Sequence, residues 1–521
     1  MSDVTTIEAD VPERYADSVS NRLQRAADED VVGRLWRRDG TLWAAEGTPE
    51  VTNRLGWLDI ADRQREHLDA YAEFAEGLRA EGYRDAVVLG MGGSSLAPEV
   101  LRQSFGKLDH GLRLHVLDST HPTEVREVLN RIELDRALMI VSSKSGGTIE
   151  PMSMFKAFYQ RQGDGSHYAA VTDPGSSLEE LARKHGFRRV FAGDPDIGGR
   201  YSALSPFGLV PAAAAGIDVG AILDSAIGAA EECRGEQGNA GLWLGCTLGA
   251  LALQGRDKLT IVADEPLSSY GIWAEQLFAE STGKLGRGIL PIADEPLLGP
   301  EAYGEDRVFL HVALDDPEHA SKLAALKDAG HPVITIRALG PSDLGRIFFL
   351  SEFAVAVAGW VLEINPFDQP NVQEAKDNTN RVLNEGSTGL EEGSLSELTE
   401  GLQPPSYLAV MGYLPYSEET AAAVARLRAA AMERHKVATT WGYGPRFLHS
   451  TGQFHKGGPK TGRFLQLIDE PAEDLEVPGE AYTFGTLIRA QADGDLQTLR
   501  DHGLPAVRVS VGDIDAIKEQ L

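Results

Sequence analysis

Two short segments constrain the fold of this 521-residue chain more than any others: Gly90-Met91-Gly92-Gly93-Ser94-Ser95 and Ser142-Ser143-Lys144-Ser145-Gly146-Gly147-Thr148. Each follows a brief apolar run, residues 86–89 and 138–141, and each leads into a helix pattern with proline near its first turn, Pro98 and Pro151. A strand, a small-residue loop and a helix start gather backbone N–H groups and hydroxyls around one point, and the positive end of the helix dipole faces that point too. Such a place suits a phosphate. A single glycine loop could equally serve a tight strand-to-helix turn. Two of them, the second with a lysine and four hydroxyls, point to a phosphorylated small molecule.

From residue 60 to about 216, strand-like runs at 86–89, 113–117, 138–141, 168–172 and 189–191 alternate with helix-like stretches. Strict alternation predicts a doubly wound parallel sheet, which binds ligands beyond the carboxyl ends of its strands. Both glycine-serine loops lie at that edge. A second alternation, 259–263, 308–314 and 333–336 with the apolar stretch 344–362 behind it, predicts a second such domain over 217–388. The stretch 344–362 contains Arg346 and Glu352 and reads as a core helix rather than a membrane span. Residues 1–59 are acidic and helical in pattern, an arm expected to pack on the next domain. Residues 389–404 turn acidic and rich in glycine, serine and proline, as a linker would, and 405–521 is again α/β, with strands near 407–411, 463–467 and 506–511. The expected fold class is α/β, two doubly wound parallel-sheet domains plus a C-terminal α/β region.

Charge narrows the partners. With 78 acidic against 49 basic residues the net charge is −29, which argues against nucleic acid and against an anionic membrane. The same field repels a phosphate, so arginines and lysines beside glycine loops carry extra meaning. Cys233 and Cys246 have no partners at metal-ligand spacing, so neither a disulfide framework nor a metal site is expected, and a reducing cytoplasm fits. Asp3, Glu8 and Asp10 after Met1 give the wrong charge for a targeting peptide.

Three more segments use unusual residues. Gly198-Gly199-Arg200-Tyr201-Ser202 puts an arginine directly after two glycines. Glu280-Ser281-Thr282-Gly283-Lys284 ends an amphipathic stretch, 270–279. Ile364-Asn365-Pro366-Phe367-Asp368-Gln369-Pro370 is stiffened by two prolines and leads to Lys376.

In this order the five segments resemble the signatures of the glucose-6-phosphate isomerase family, and the resemblance runs over residues 55–383. The tail, Gly444-Pro445-Arg446-Phe447-Leu448-His449 through Gly458, is similar to the isomerase half of bifunctional transaldolase–glucose-6-phosphate isomerases, with too few residues before Leu55 for a barrel of about 250 residues. The resemblance implies two sugar-isomerase domains and a reversible aldose–ketose isomerisation of glucose 6-phosphate and fructose 6-phosphate through a cis-enediol. It implies a small sugar phosphate as substrate, no cofactor, a cytoplasmic location and a homodimer. It further implies that Ser143, Ser145 and Thr148, with Lys144, hold the phosphate, that Gly93, Ser94 and Gly199 line the site, and that Gln369 supports the substrate. Glu280 is then the base that moves a proton between C2 and C1, Arg200 faces the enediolate, and Lys376 assists ring opening. A partly desolvated carboxylate can lift and return such a proton, and the developing oxygen charge needs a cation that stays protonated, as arginine does.

One departure stands out. The family's ring-opening histidine lies in a Gly-Gln-His stretch before the core helix, whereas here 285–344 offers His311 (in a strand pattern, as a core histidine would be), His319 and His331. The tail's Ser450-Thr451-Gly452-Gln453-Phe454-His455 echoes that stretch. With Arg446, Lys456 and Lys460 it is the most basic glycine-rich segment of the chain. His449 or His455 is therefore expected to reach the site, from the same subunit or a neighbour, and to act near neutral pH. The rival readings are a sister phosphosugar isomerase, including one that accepts mannose 6-phosphate, and a phosphosugar-binding regulator without chemistry. A regulator would need the loops but not Glu280, Arg200 and Lys376 together.

Overall fold

The computed structural model describes residues 7–235, 237–386 and 393–520, without the side chains of 372, 373, 375, 376, 384, 385 and 513. The described chain opens with a short strand, β1 (Ile7–Asp10), and then builds the first parallel sheet from β2 (Asp85–Leu89), β3 (Arg113–Leu117), β4 (Ala137–Ser142), β5 (Tyr168–Thr172) and β6 (Arg189–Ala192). The order is β3-β2-β4-β5-β6. β2, β4 and β5 are buried along their whole length, as the unbroken Val, Leu, Ile and Ala runs of a sheet covered on both faces require. The chain winds from β2 outward to β3 and then back across to β4, so the winding reverses between β2 and β4. Leu89 pairs with Val141 there, which sets the two glycine-serine loops side by side at the switch point.

The second sheet contains β7 (Lys258–Ala263), β8 (Leu290–Ile292), β9 (Arg307–Ala313) and β10 (Val333–Arg337) in the order β8-β7-β9-β10, with β1 antiparallel on the β10 edge. The third contains β11 (Tyr407–Tyr413), β12 (Ala438–Tyr443), β13 (Gly462–Ile468) and β14 (Ala506–Ser510) in the order β12-β11-β13-β14. All three sheets repeat one winding, with the second strand on one side of the first and the later strands on the other.

The helix Leu344–Leu362 is apolar on every side and buried throughout except at Arg346. By length and composition it could cross a membrane, but it is packed inside the protein against the helices Val219–Glu232 and Ala240–Leu253, which is what an all-round apolar helix needs in a folded domain. It stops at Glu363, whose φ of 58° is left-handed, just before the rigid Asn365-Pro366-Phe367 turn.

Several local expectations change. The N-terminal arm is not purely helical: β1 joins the second sheet. Trp36 donates to Cys233 O and Trp43 to Ala356 O, so much of the arm packs on the second domain rather than the first. β8 has only three residues and β12 contains Thr439, Thr440 and Gly442, which hid both from a hydrophobic-run reading. Of the expected linker, residues 389–392 lie outside the described residues. The part that follows holds the helix Ser396–Thr399, with Leu398 fully buried in the core of the third sheet. That sheet also docks on the first: the Arg446 guanidinium forks onto Asp118, just after β3, at 2.8 and 2.9 Å.

Candidate active site

One cavity of roughly 600 Å³ gathers the segments singled out above. Gly93 and Ser94 from the first loop line it, as do Lys144, Ser145 and Thr148 from the second, then Gly199 and Arg200, Glu280, Gln369 and, from the third domain, His449. The first loop and the Gly198-Gly199-Arg200 turn touch so closely that a Cβ on Gly93 would lie 1.9 Å from Gly199 O. Only glycine allows that approach.

Arg200 is the hub. It is 2% exposed. Its Nε donates to Ser281 Oγ at 2.8 Å, Nη1 to Gln369 Oε1 at 2.7 Å, and Nη2 to the carbonyls of Pro366 and Asp368 at 2.8 and 3.0 Å. Three of the five motifs are thereby tied to one rigid cation, whose Nη1 stands 3.6 Å from Glu280 Oε2. Glu280 itself is buried near the C-terminal end of the helix Tyr270–Thr282. Gln276, one helical turn earlier on the same face, donates to Glu280 Oε2 at 3.2 Å. Lys284 closes the set: its Nζ donates to the carbonyls of Asn365 and Asp368 at 2.6 and 2.5 Å. Burial and the neighbouring Arg200 pull it down to about 7, against the Asp368 carboxylate.

The second loop differs in detail from the expectation. Gly146 takes φ +73°, where a Cβ would lie 2.4 Å from Leu178 N. Ser143 does not face the cavity. Its hydroxyl donates to Thr148 Oγ1 and accepts from Gly146 N, both at 3.2 Å, so it braces the loop from within. The Lys144 ammonium, at the cavity wall, is paired with the Asp173 carboxylate. Ser145 and Thr148 line the cavity just before the start of the helix Ile149–Arg161.

The two candidate histidines part company. His449 lines the cavity from the same chain, and its Nε2 donates to Glu150 Oε1 at 2.9 Å. Glu150 is buried and also accepts from Gln491 Nε2 at 2.8 Å, while Thr120 Oγ1 donates to Gln491 Oε1 at 2.7 Å. His455 is a correction. It is enclosed in the core of the third domain, stacked on Tyr407 with Nδ1 2.9 Å from the Tyr407 hydroxyl, and burial pushes its pKa down to about 3. It does not line the cavity. His311 is likewise a core residue, 3.1 Å from Asp264. Lys376 lies on the helix Pro370–Glu385, but its side chain falls outside the described residues.

Sequence reasoning missed Gln276 and Glu150. Gln276 could have been found from its i, i+4 spacing to Glu280. Glu150 offered only its place two residues after Thr148. Among the described residues no group of three or more His, Cys, Asp or Glu side chains is arranged to hold a metal ion.

The profile of the phosphoglucose isomerase family matches residues 60–231. A glucose-6-phosphate isomerase from Rubrobacter xylanophilus is 32% identical over 375 residues, covering 60% of this chain and 86% of that protein. One from Staphylococcus saprophyticus is 30% identical over 406 residues, covering 67% and 90%. Among solved structures, a hypothetical protein from Thermus thermophilus superposes with a TM-score of 0.61 at 25% identity, covering 72% of this chain and all of that one. A glucose-6-phosphate isomerase from Chlamydia trachomatis superposes with a TM-score of 0.62 at 20% identity, covering 73% and 89%, and shares the fold. With relatives 32% and 30% identical matched over 86% and 90% of their own length, and the family's profile matching residues 60–231, this chain belongs to the glucose-6-phosphate isomerase family.

Proposed function

We propose that this protein interconverts glucose 6-phosphate and fructose 6-phosphate by proton transfer through a cis-enediol. The observation that carries the reading is the meeting of Glu280, Arg200 and the Ser145–Thr148 loop in one cavity. The Ser145 and Thr148 hydroxyls, at the positive end of the following helix, hold the sugar phosphate. His449 donates through Nε2 to Glu150, which leaves Nδ1 to exchange a proton with the ring oxygen as the sugar opens. Lys376, brought in on the helix after Gln369, assists that step. Glu280 then takes the proton from C2 and returns it to C1. Gln276 steadies one carboxylate oxygen and leaves the other to carry the proton. The enediolate charge develops beside the Arg200 guanidinium, which four protein acceptors already hold in place, so no reorganisation is needed as the charge appears. The free, buried Cys233 and Cys246 support a cytoplasmic setting for the reaction.

The test is a coupled assay of the purified chain on fructose 6-phosphate, repeated on mannose 6-phosphate, with solvent deuterium followed into the product. Turnover of fructose 6-phosphate with deuterium entering at C2 is expected. Binding of the sugar phosphate with neither turnover nor exchange would instead leave a phosphosugar-binding regulator.

A further inference from the structure

Gln453 sits in the short helix Gly452–Gly457 of the third domain, is 1% exposed, and does not line the cavity. Both ends of its amide are spent on other parts of the chain. Nε2 donates to Gly283 O at 3.0 Å and to Asn371 Oδ1 at 2.8 Å, while Oε1 accepts from Asn371 N at 2.9 Å. Gly283 closes the helix that ends with Glu280-Ser281-Thr282, and Asn371 is the second residue of the helix that contains Lys376. One buried amide thus bridges the end of the general-base helix and the start of the lysine helix.

The surroundings leave that bridge little slack. A Cβ on Gly283 would lie 2.4 Å from Phe454 Cα, and Gly286 N donates to Gly457 O at 3.0 Å. The bridging helix is itself anchored by Lys456, whose Nζ meets Asp495 Oδ1 at 2.7 Å with both side chains buried. A buried ion pair of this kind holds its geometry because either partner alone would be costly.

We propose that Gln453 is a positioning residue of the isomerase reaction: it holds the proton-transfer base and the ring-opening lysine helix in register, so that the third domain aligns the two halves of the chemistry without touching substrate. This rests on the reading that Glu280 moves the proton and Lys376 assists ring opening. Since ring opening and proton transfer need separate groups at a common substrate, a small shift between the two helices slows the cyclic substrate while each half still works alone.

Gln453→Met keeps the length and removes all three bonds. In this variant kcat on cyclic fructose 6-phosphate should fall at least tenfold. Competition by inorganic phosphate, and proton exchange on an acyclic analogue that cannot close its ring, should stay within threefold of wild type. Gln453→Glu keeps the acceptor for Asn371 N–H but loses both donors, and should fall between. Cyclic turnover within threefold of wild type, or an equal fall in cyclic turnover and acyclic exchange, overturns the proposal. If Gln453→Met does not fold, Asn371→Ala removes one of the three bonds from the less buried side; the same split at smaller size supports the register role and its absence overturns it. A wild-type chain that does not isomerise at all is a different result, in which the proposed function fails and this role falls with it.

Discussion

His449 and Glu150 are 299 positions apart in the chain and meet at 2.9 Å, ring Nε2 to carboxylate Oε1, beside the cavity that holds Glu280. The carboxylate fixes the tautomer and the direction of the ring. His449→Ala should slow turnover of cyclic fructose 6-phosphate about 10²- to 10⁴-fold, the usual share of a general acid or base. Exchange on an acyclic analogue should change little. Glu150→Gln should cost on the order of tenfold in rate, a rise of about 1.4 kcal/mol in the barrier. His455→Ala should leave the balance between the two assays unaltered, because His455 lies in the core of the third domain. Equal loss of both activities in His449→Ala would show a structural role only.

Glu280→Gln should abolish isomerisation and exchange alike while phosphate competition stays within a few-fold. The amide keeps the shape and the contact with Gln276 but cannot accept the C2 proton, so the loss belongs to turnover and not to affinity. Deuterium exchange at the wild-type rate in this variant would remove Glu280 from the role of base.

Ser145 and Thr148 face the cavity, whereas Ser143 supports the loop behind them. A hydrogen bond to a charged group contributes about 1.5–3 kcal/mol. Ser145→Ala and Thr148→Ala should therefore each weaken competition by inorganic phosphate about 10- to 100-fold. Ser143→Ala should weaken it less. The opposite ranking in a phosphate-inhibition series would mean that the loop turns its other side to the ligand.

Gly93→Ala places a methyl 1.9 Å from the Gly199 carbonyl oxygen, a backbone atom that cannot swing aside. Overpacking of this kind costs about 1–3 kcal/mol. The displaced turn contains Arg200, so kcat should fall at least tenfold. Thermal unfolding and turnover measured together check this, and a variant with full activity would contradict the close packing of the two loops.

Acid should destabilise the protein through its buried histidines. Burial, with nearby cations, holds His121 and His331 down to about 4 and His455 to about 3, against an ordinary 6.5. Between those values and 6.5 the unfolded chain binds more protons than the folded one, so stability rises with pH and is lost as pH falls through the window. Each histidine contributes at most about 1.4 kcal/mol per pH unit. Denaturant midpoints from pH 7 to 4 should show a flatter slope for His455→Gln than for wild type, and identical slopes would show that His455 is not held neutral.

The elements that follow from local chemistry were legible in the residues alone. Unbroken apolar runs mark β2, β4 and β5, glycine-serine loops mark the turns after β2 and β4, and the helix Leu344–Leu362 begins and ends where its apolar stretch does. Resemblance to the signatures of the glucose-6-phosphate isomerase family also marked Glu280, Arg200, Gln369 and the second loop as a set. β1, β8 and β12 were not legible, because a strand of three or four residues, or one rich in threonine and glycine, becomes a strand only when a neighbour offers its edge. Nor could sequence tell Ser143 from Ser145. In a tight loop one hydroxyl turns inward and the next outward according to the backbone path, and here that path includes Gly146 at φ +73°. The choice of His449 over His455 belonged to tertiary structure for the same kind of reason. They stand six positions apart, but the third sheet, docked through Arg446 on Asp118 and through Gln453 on Gly283, turns His449 toward Glu150 and encloses His455 against Tyr407. A motif states which groups are available, and packing between distant segments decides which of them reaches the substrate.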